Sequence, residues 1–215
     1  MLFRSTGVRV SAPWGVPERD LHAMVHEKGA WILDRLRHFR ELEQQQPRWS
    51  YADGQNVLIG GGWHTLRVLS WEWNAGKVSL EKGEVVVRVP FRFLRDEKVI
   101  SELFLRWLRR WAQKEIPRRV AGFAERMALH PARLSIRAQR SKWGSCSADG
   151  NINLNMRLML APPEVLDYVI IHELAHLKEL NHSPRFWRIV EQYCPDRAAH
   201  QKWLREHTWL LEMEG

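Results

Sequence analysis

Residues 164–187 read EVLDYVIIHELAHLKELNHSPRFW, and the rest of the chain is interpreted around them. Glu173 follows His172, and His176 stands four positions after His172, so on a helix both imidazoles share one face. This is the HExxH arrangement: two metal-ligating histidines and, beside the first, a glutamate able to act as general base on a water. A catalytic zinc takes three protein ligands and leaves one position open. His182 is the candidate third ligand. A straight helix would carry it off the ligand face, so the helix is predicted to end near Leu180 and Asn181, with Asn181 in the left-handed conformation that closes helices. Ser183 then caps a second helix opened by Pro184. Histidines and a glutamate in so apolar a segment cost free energy unless they are paired or bound to a metal.

With 215 residues, the chain is long enough for one large or two small domains with a real core. It carries 33 basic against 25 acidic residues, a net charge of +8, which favours acidic partners without naming one. Arg4, Ser5 and Arg9 interrupt the first ten residues, and no apolar run approaches the length of a membrane span. The expectation is a soluble, cytoplasmic protein with no membrane partner. Two cysteines, Cys146 and Cys194, imply no disulfide framework.

Outward from the motif, residues 1–12 read as a short strand or hairpin, and 18–43 as a helix. His22, His26 and Glu27 mimic half a metal site there but read as a solvated helix face. Residues 56–59, 63–70, 77–80 and 84–89 are short β-rich runs separated by glycine turns, and Gly60-Gly61-Gly62 is a turn rather than a phosphate loop. Together they predict a small antiparallel sheet or partial barrel. A helix is predicted over about 95–129, interrupted or kinked at Pro117. Its segment 106–119 carries an apolar stripe (Trp107, Leu108, Trp111, Ile116) and a basic face (Arg106, Arg109, Arg110, Lys114, Arg118, Arg119). That face is a possible nucleic-acid contact, although a solvated face over a buried stripe is the plainer reading. Strands are predicted at 133–138 and 151–155, with a loop between them, and a last helix at about 197–211.

The blocks SKWGSCSADGNINLN at 141–155, AP at 161–162, DYVIIHELAHL at 167–177 and NHSPRFW at 181–187, in this order and spacing, resemble the YgjP-like metallopeptidase family. That family is related to the SprT-like and WLM peptidases, some of which act on DNA-bound proteins. The resemblance implies zinc as cofactor, ligands at His172, His176 and His182, and Glu173 as the catalytic residue. The metzincin pattern matches in its three histidines but departs where Glu179 replaces a glycine. A ligand from further downstream, Glu191 or Glu206, is the alternative to His182.

The expected fold is α+β. Residues 1–93 form a small β-rich N-terminal region with one helix. Residues 94–215 form a helical zincin-like metallopeptidase domain with an HExxH helix and short antiparallel strands. The expected function is zinc-dependent hydrolysis of a peptide or protein substrate, through a zinc-activated water with Glu173 as general base. An extended substrate could add along the strand at Ile152–Asn155, and Arg140, Lys142, Ser145 and Tyr168 are candidate oxyanion donors. The alternative is a zinc-stabilised, nucleic-acid-associated binding module without turnover, with Cys146 as a fourth ligand.

Overall fold

Glycine turns and short β-branched runs build the first sheet. Strands β3 (Asn56–Ile59) and β4 (Gly62–Ser70) form a hairpin in which Ile59 faces Gly62. The two loop residues, Gly60 and Gly61, both have positive φ, 58° and 82°, as a two-residue hairpin turn that matches strand twist requires. Strands β5 (Lys77–Glu81) and β6 (Glu84–Val89) form a second hairpin. In β6, Val85, Val86, Val87 and Val89 are buried.

The computed structural model describes residues 2–4, 7–10, 12, 15–34, 36–37 and 50–213. The chain divides into two units, Met1–Arg48 and Trp49–Gly215. In the first, β1 (Leu2–Arg4) and β2 (Gly7–Arg9) form the expected N-terminal hairpin, with Phe3 opposite Val8. Helix α1 (Glu18–Glu27) follows. The predicted helix is divided: Lys28 closes α1, with its N–H donating back to Met24 O, and helical backbone resumes at 29–34. The predicted stretch beyond 37, residues 38–43, lies outside the described residues.

The expectation of antiparallel strands needs correction in the second unit. The first sheet runs β3-β4-β6-β5, and β4 pairs parallel with β6. The segment 71–76 carries the chain past the neighbouring position, so β5 occupies the outer edge and β6 returns between β5 and β4. Side-chain alternation marks which face of a strand is buried and says nothing about the direction of its neighbour. The second sheet is also mixed. Strand β9 (Asn151–Asn155) lies between β7 (Arg133–Arg137), parallel to it, and β8 (Gly144–Cys146), antiparallel to it.

Helix α2 (Glu97–Met127) is capped by the Asp96 carboxylate, which accepts from Val99 N–H at 3.1 Å. It runs unbroken through Pro117. Its buried seam advances by four residues, through Ile100, Phe104, Leu108, Ala112, Ile116, Val120 and Ala124. Trp107 and Trp111 pack on its flank. An interior proline costs about 3 kcal/mol. Burying Ile116 and Val120 on either side of it recovers roughly 1.5–3 kcal/mol per large side chain. The helical partner that Pro117 cannot supply is that of the carbonyl of Gln113, an exposed residue. Helix α3 (Pro163–Ala175), α4 (Pro184–Tyr193) and α5 (Arg197–Glu206) complete the unit. Helix α5 ends nearer its start than predicted, and a 3-10 turn at Thr208–Glu212 takes over. Another 3-10 turn, Met156–Leu160, is buried at all five positions and joins β9 to α3. Gly60 and Gly61 donate to its carbonyls at Met159 and Leu160, tying the first hairpin to the start of α3.

Candidate active site

Helix α3 is buried nearly all round, from Val165 through Ala175, which is where a helix apolar on every face must sit. Pro162 and Pro163 open it, and Glu164 lies in its first turn, where the helix dipole favours a negative charge. His172 and Glu173 stand in its last turn. The helix does not continue to Leu180. His176 is its C-cap, and the N–H groups of Leu177 and Lys178 donate three residues back to Leu174 and Ala175. This 3-10-like tightening satisfies the terminal carbonyls without a left-handed residue. Asn181 is not left-handed. Instead its carbonyl accepts from Ser183 N–H at 2.7 Å, a γ-turn centred on His182. The Ser183 hydroxyl then caps α4 by accepting from Phe186 N–H, as expected.

This path brings the three histidines together. Their ligand atoms lie within 4.8 Å of one another, and the Nε2 atoms of His172 and His182 are 3.1 Å apart. Tetrahedral bonds of about 2.0–2.1 Å would set neighbouring nitrogens roughly 3.3 Å apart. His176 Nδ1 lies 3.0 Å from the Glu179 carbonyl. A carbonyl only accepts, so Nδ1 carries the proton and Nε2 keeps a free lone pair. The Tyr168 hydroxyl lies 3.5 Å from His172 Nδ1. Burial holds His172 down to about 3, helped by His176 and His182, and burial also lowers His176. Both rings are therefore in the neutral form that binds metals. Phe186, fully buried, stacks on His176 at 4.5 Å and meets His172 and His182 edge-on, while Trp187 stacks on His182. The donor set fits a metal ion that accepts imidazole nitrogen.

Other sequence candidates are occupied elsewhere. Glu191 accepts from Arg197 at 2.8 Å, and Glu206 lies 3.8 Å from Lys202. The Cys146 thiol donates to Ser147 O, and burial raises its pKa. Among the described residues the histidine triad is the one such cluster. His22, His26 and Glu27 are exposed on α1. On α2, Arg118 and Arg119 are tied to Glu115, and Arg119 also to Asp167. Arg106, Arg109, Arg110 and Lys114 remain exposed.

Glu173 is only 6% exposed. It lines, with His172, a cavity of about 380 Å3 bounded by residues 141–144, Tyr168, Val169, Gln201, Leu204 and Arg205. Burial pushes the Glu173 carboxyl up to about 7, against the opposing pull of Lys142. The wall over Glu173 is the backbone of Gly144, where a Cβ would stand 2.5 Å from Glu173 Oε1 and 2.8 Å from its Cγ. Of the suggested oxyanion donors, Lys142 and Tyr168 line this cavity, whereas Arg140 and Ser145 do not. Gln201, Leu204 and Arg205 were not singled out from the sequence. Their spacing on one face of α5 was the available signal.

The edge expected at Ile152–Asn155 is taken on both sides, because β9 is the central strand of its sheet. The edge strands are β7 and β8, and β8 is the one that reaches the cavity, through Gly144. Asn155 N–H donates to Trp143 O, and Ser147 N–H to Asn151 O. By the alternation of an antiparallel pair, Gly144 and Cys146 turn their backbone groups away from β9.

Among the described residues no helix is long and apolar enough to cross a membrane. No curated protein matches the sequence significantly. The chain is similar to the crystal structure of the metallopeptidase zymogen of Pyrococcus abyssi abylysin, at 24% identity and a TM-score of 0.39, over 42% of this chain and 93% of that one. Residues 3–207 match the YgjP-like metallopeptidase domain, and the chain belongs to that family.

Proposed function

We propose that the protein is a zinc-dependent peptidase whose zinc ligands are His172, His176 and His182 and whose general base is Glu173. The observation that carries this reading is the convergence of three imidazoles beside a buried carboxyl group that opens on a cavity. Three nitrogen ligands leave a fourth position open, as a catalytic zinc site needs. The chemistry such an ion supplies is Lewis acidity, which acidifies a water and polarises the scissile carbonyl. Glu173 would accept a proton from the attacking water at its carboxylate and return it to the leaving amine. The Glu179 carbonyl orients His176 and fixes which nitrogen it presents, and the Tyr168 hydroxyl stands against His172 Nδ1. The free edge of β8 offers Gly144 backbone groups to an extended peptide, which would lie along the cavity mouth. On this reading residues 94–215 carry the chemistry and 1–93 are accessory.

The rival reading, a structural zinc in a nucleic-acid-associated module, calls for a fourth protein ligand. Among the described residues none joins the triad. The test is zinc content beside peptide hydrolysis in wild type, His182→Ala and Glu173→Gln. Zinc near one per chain in wild type, weakened by His182→Ala, with Glu173→Gln inactive but still metal-loaded, is the expected pattern. Full hydrolysis by Glu173→Gln would overturn the assignment.

A further inference from the structure

The cavity beside Glu173 has a charge pattern that the hydrolytic reading does not use. Its rim carries two exposed cations, Lys142 from the loop preceding β8 and Arg205 from α5. The sole carboxylate among its lining residues is Glu173, at the inner end. No ion pair among the described residues engages Lys142 or Arg205. The other large cations nearby are committed: Arg197 to Glu191 and Arg119 to Asp167. Trp143, Val169 and Leu204 supply apolar lining to the same cavity. The volume, about 380 Å3, lies in the range of ligand pockets.

We infer that this cavity is a specificity pocket for a carboxylate, held between Lys142 and Arg205, on the residue adjoining the bond that is cut. This rests on the peptidase reading. The Arg205 fork suits a planar carboxylate and Lys142 adds a point charge. A neutral side chain would leave Arg205 unanswered and Lys142 facing only the Glu173 carboxyl, and a basic one would meet both as like charges. The carboxylate could be an aspartate or glutamate side chain within a chain, or the free C-terminus of a peptide. The two sources share one chemistry and differ in where the substrate must end.

The test compares peptides identical except at one position, Glu, Gln or Lys, blocked at both ends, and a Gln peptide with a free or amidated C-terminus. Zinc-loaded wild type is expected to favour blocked Glu over blocked Gln by about ten- to hundredfold in kcat/KM if a side chain is bound. A preference confined to the free C-terminus assigns the pocket to a terminal carboxylate. Arg205→Glu should invert the Glu-to-Lys ratio and Arg205→Lys should restore most of it, whereas a merely structural role would lower both substrates together. A second arm titrates zinc-loaded Glu173→Gln protein with the same peptides and reads binding without turnover. Equal binding and equal cleavage of all peptides overturns the pocket and leaves the peptidase reading standing. Absence of all cleavage overturns the peptidase reading, and the binding arm still decides the pocket by whether the carboxylate peptides bind more tightly.

Discussion

Gly144→Ala isolates the contact between β8 and the proposed general base. A methyl group there would stand 2.5 Å from Glu173 Oε1, 2.8 Å from Cγ and 2.9 Å from Cδ. The side chain or the strand must retreat by about 1 Å to regain ordinary van der Waals separation. Because Cγ is struck as well as the terminal oxygen, rotating the carboxylate alone does not relieve the clash. Overpacking of this kind costs about 1–3 kcal/mol. Displacement of a reacting group by about 1 Å costs on the order of a hundredfold in rate. The histidine triad is not among the nearest atoms to that methyl, so zinc content should stay near wild type. The assay is kcat/KM for a peptide substrate, alongside zinc content and the thermal unfolding midpoint. A hundredfold loss with zinc retained is expected. Wild-type activity in a folded Gly144→Ala protein would refute the claim that this approach positions Glu173. Loss of zinc would show that the strain reaches the ligands instead.

At the other end of α3, Gly61 has φ 82° and a Cβ there would stand 2.5 Å from the Pro162 ring. Gly61→Ala should therefore destabilise by about 1–3 kcal/mol from backbone strain alone, read as a lower urea midpoint; an unchanged midpoint would sink this account. Glu115 accepts from Arg118 and Arg119, and chiefly the Arg118 bond lowers its carboxyl from 4.5 to about 2. A depressed carboxyl stabilises the fold above its unfolded value and loses that contribution as pH falls from 4.5 toward about 2. The slope of stability against pH in that window should flatten in Glu115→Gln, and an identical slope in both proteins would contradict it. Zinc bound by the folded state alone should raise stability by about 2.7 kcal/mol when free zinc is a hundredfold above its Kd. Chelation should remove that gain in wild type and do little in His182→Ala; equal midpoints with and without zinc would oppose the ligand assignment.

The parts of the molecule legible in the sequence are those whose signal is local. Strand β3 and strand β6 fall where the valine-rich runs and glycine turns predict them, and the Ser183 cap forms where a Ser-Pro pair predicts it. Strand β8 was read as loop, because Gly144, Ser145 and Cys146 have little strand propensity and are extended by pairing with β9. The parallel pairing of β4 with β6 depends on where a loop carries the chain, which no side-chain pattern records. The spacing of His172, Glu173, His176 and His182 singled out the residues that converge. It misjudged how α3 ends, since the tightened turn at His176 depends on backbone bonds available to any residue. Arg205 and Gln201 are some thirty residues downstream and reach the cavity only through the packing of α5 on α3.

The position of the cluster follows from a conflict within α3. Six apolar or aromatic residues between Val165 and Ile171, all but Asp167, drive the helix into the core, and a rigid anchor is what precise ligand geometry needs. Polar groups that must meet a substrate cannot follow it there without losing hydration. The chain resolves this at the last turn. His172 and His176 are half-buried, and His182 is exposed on a turn. The loop holding His182 would be a weak point if its ring were held by the backbone alone. Trp187 and Phe186 of α4 stack against that ring instead, and Ser183 fixes where α4 begins. Aromatic packing thus supplies for His182, the exposed member of the proposed ligand set, the constraint that burial supplies for His172 and His176. Trp187→Ala should accordingly weaken zinc binding without touching a ligand, and unchanged zinc affinity in that variant would mean that the γ-turn suffices to hold His182.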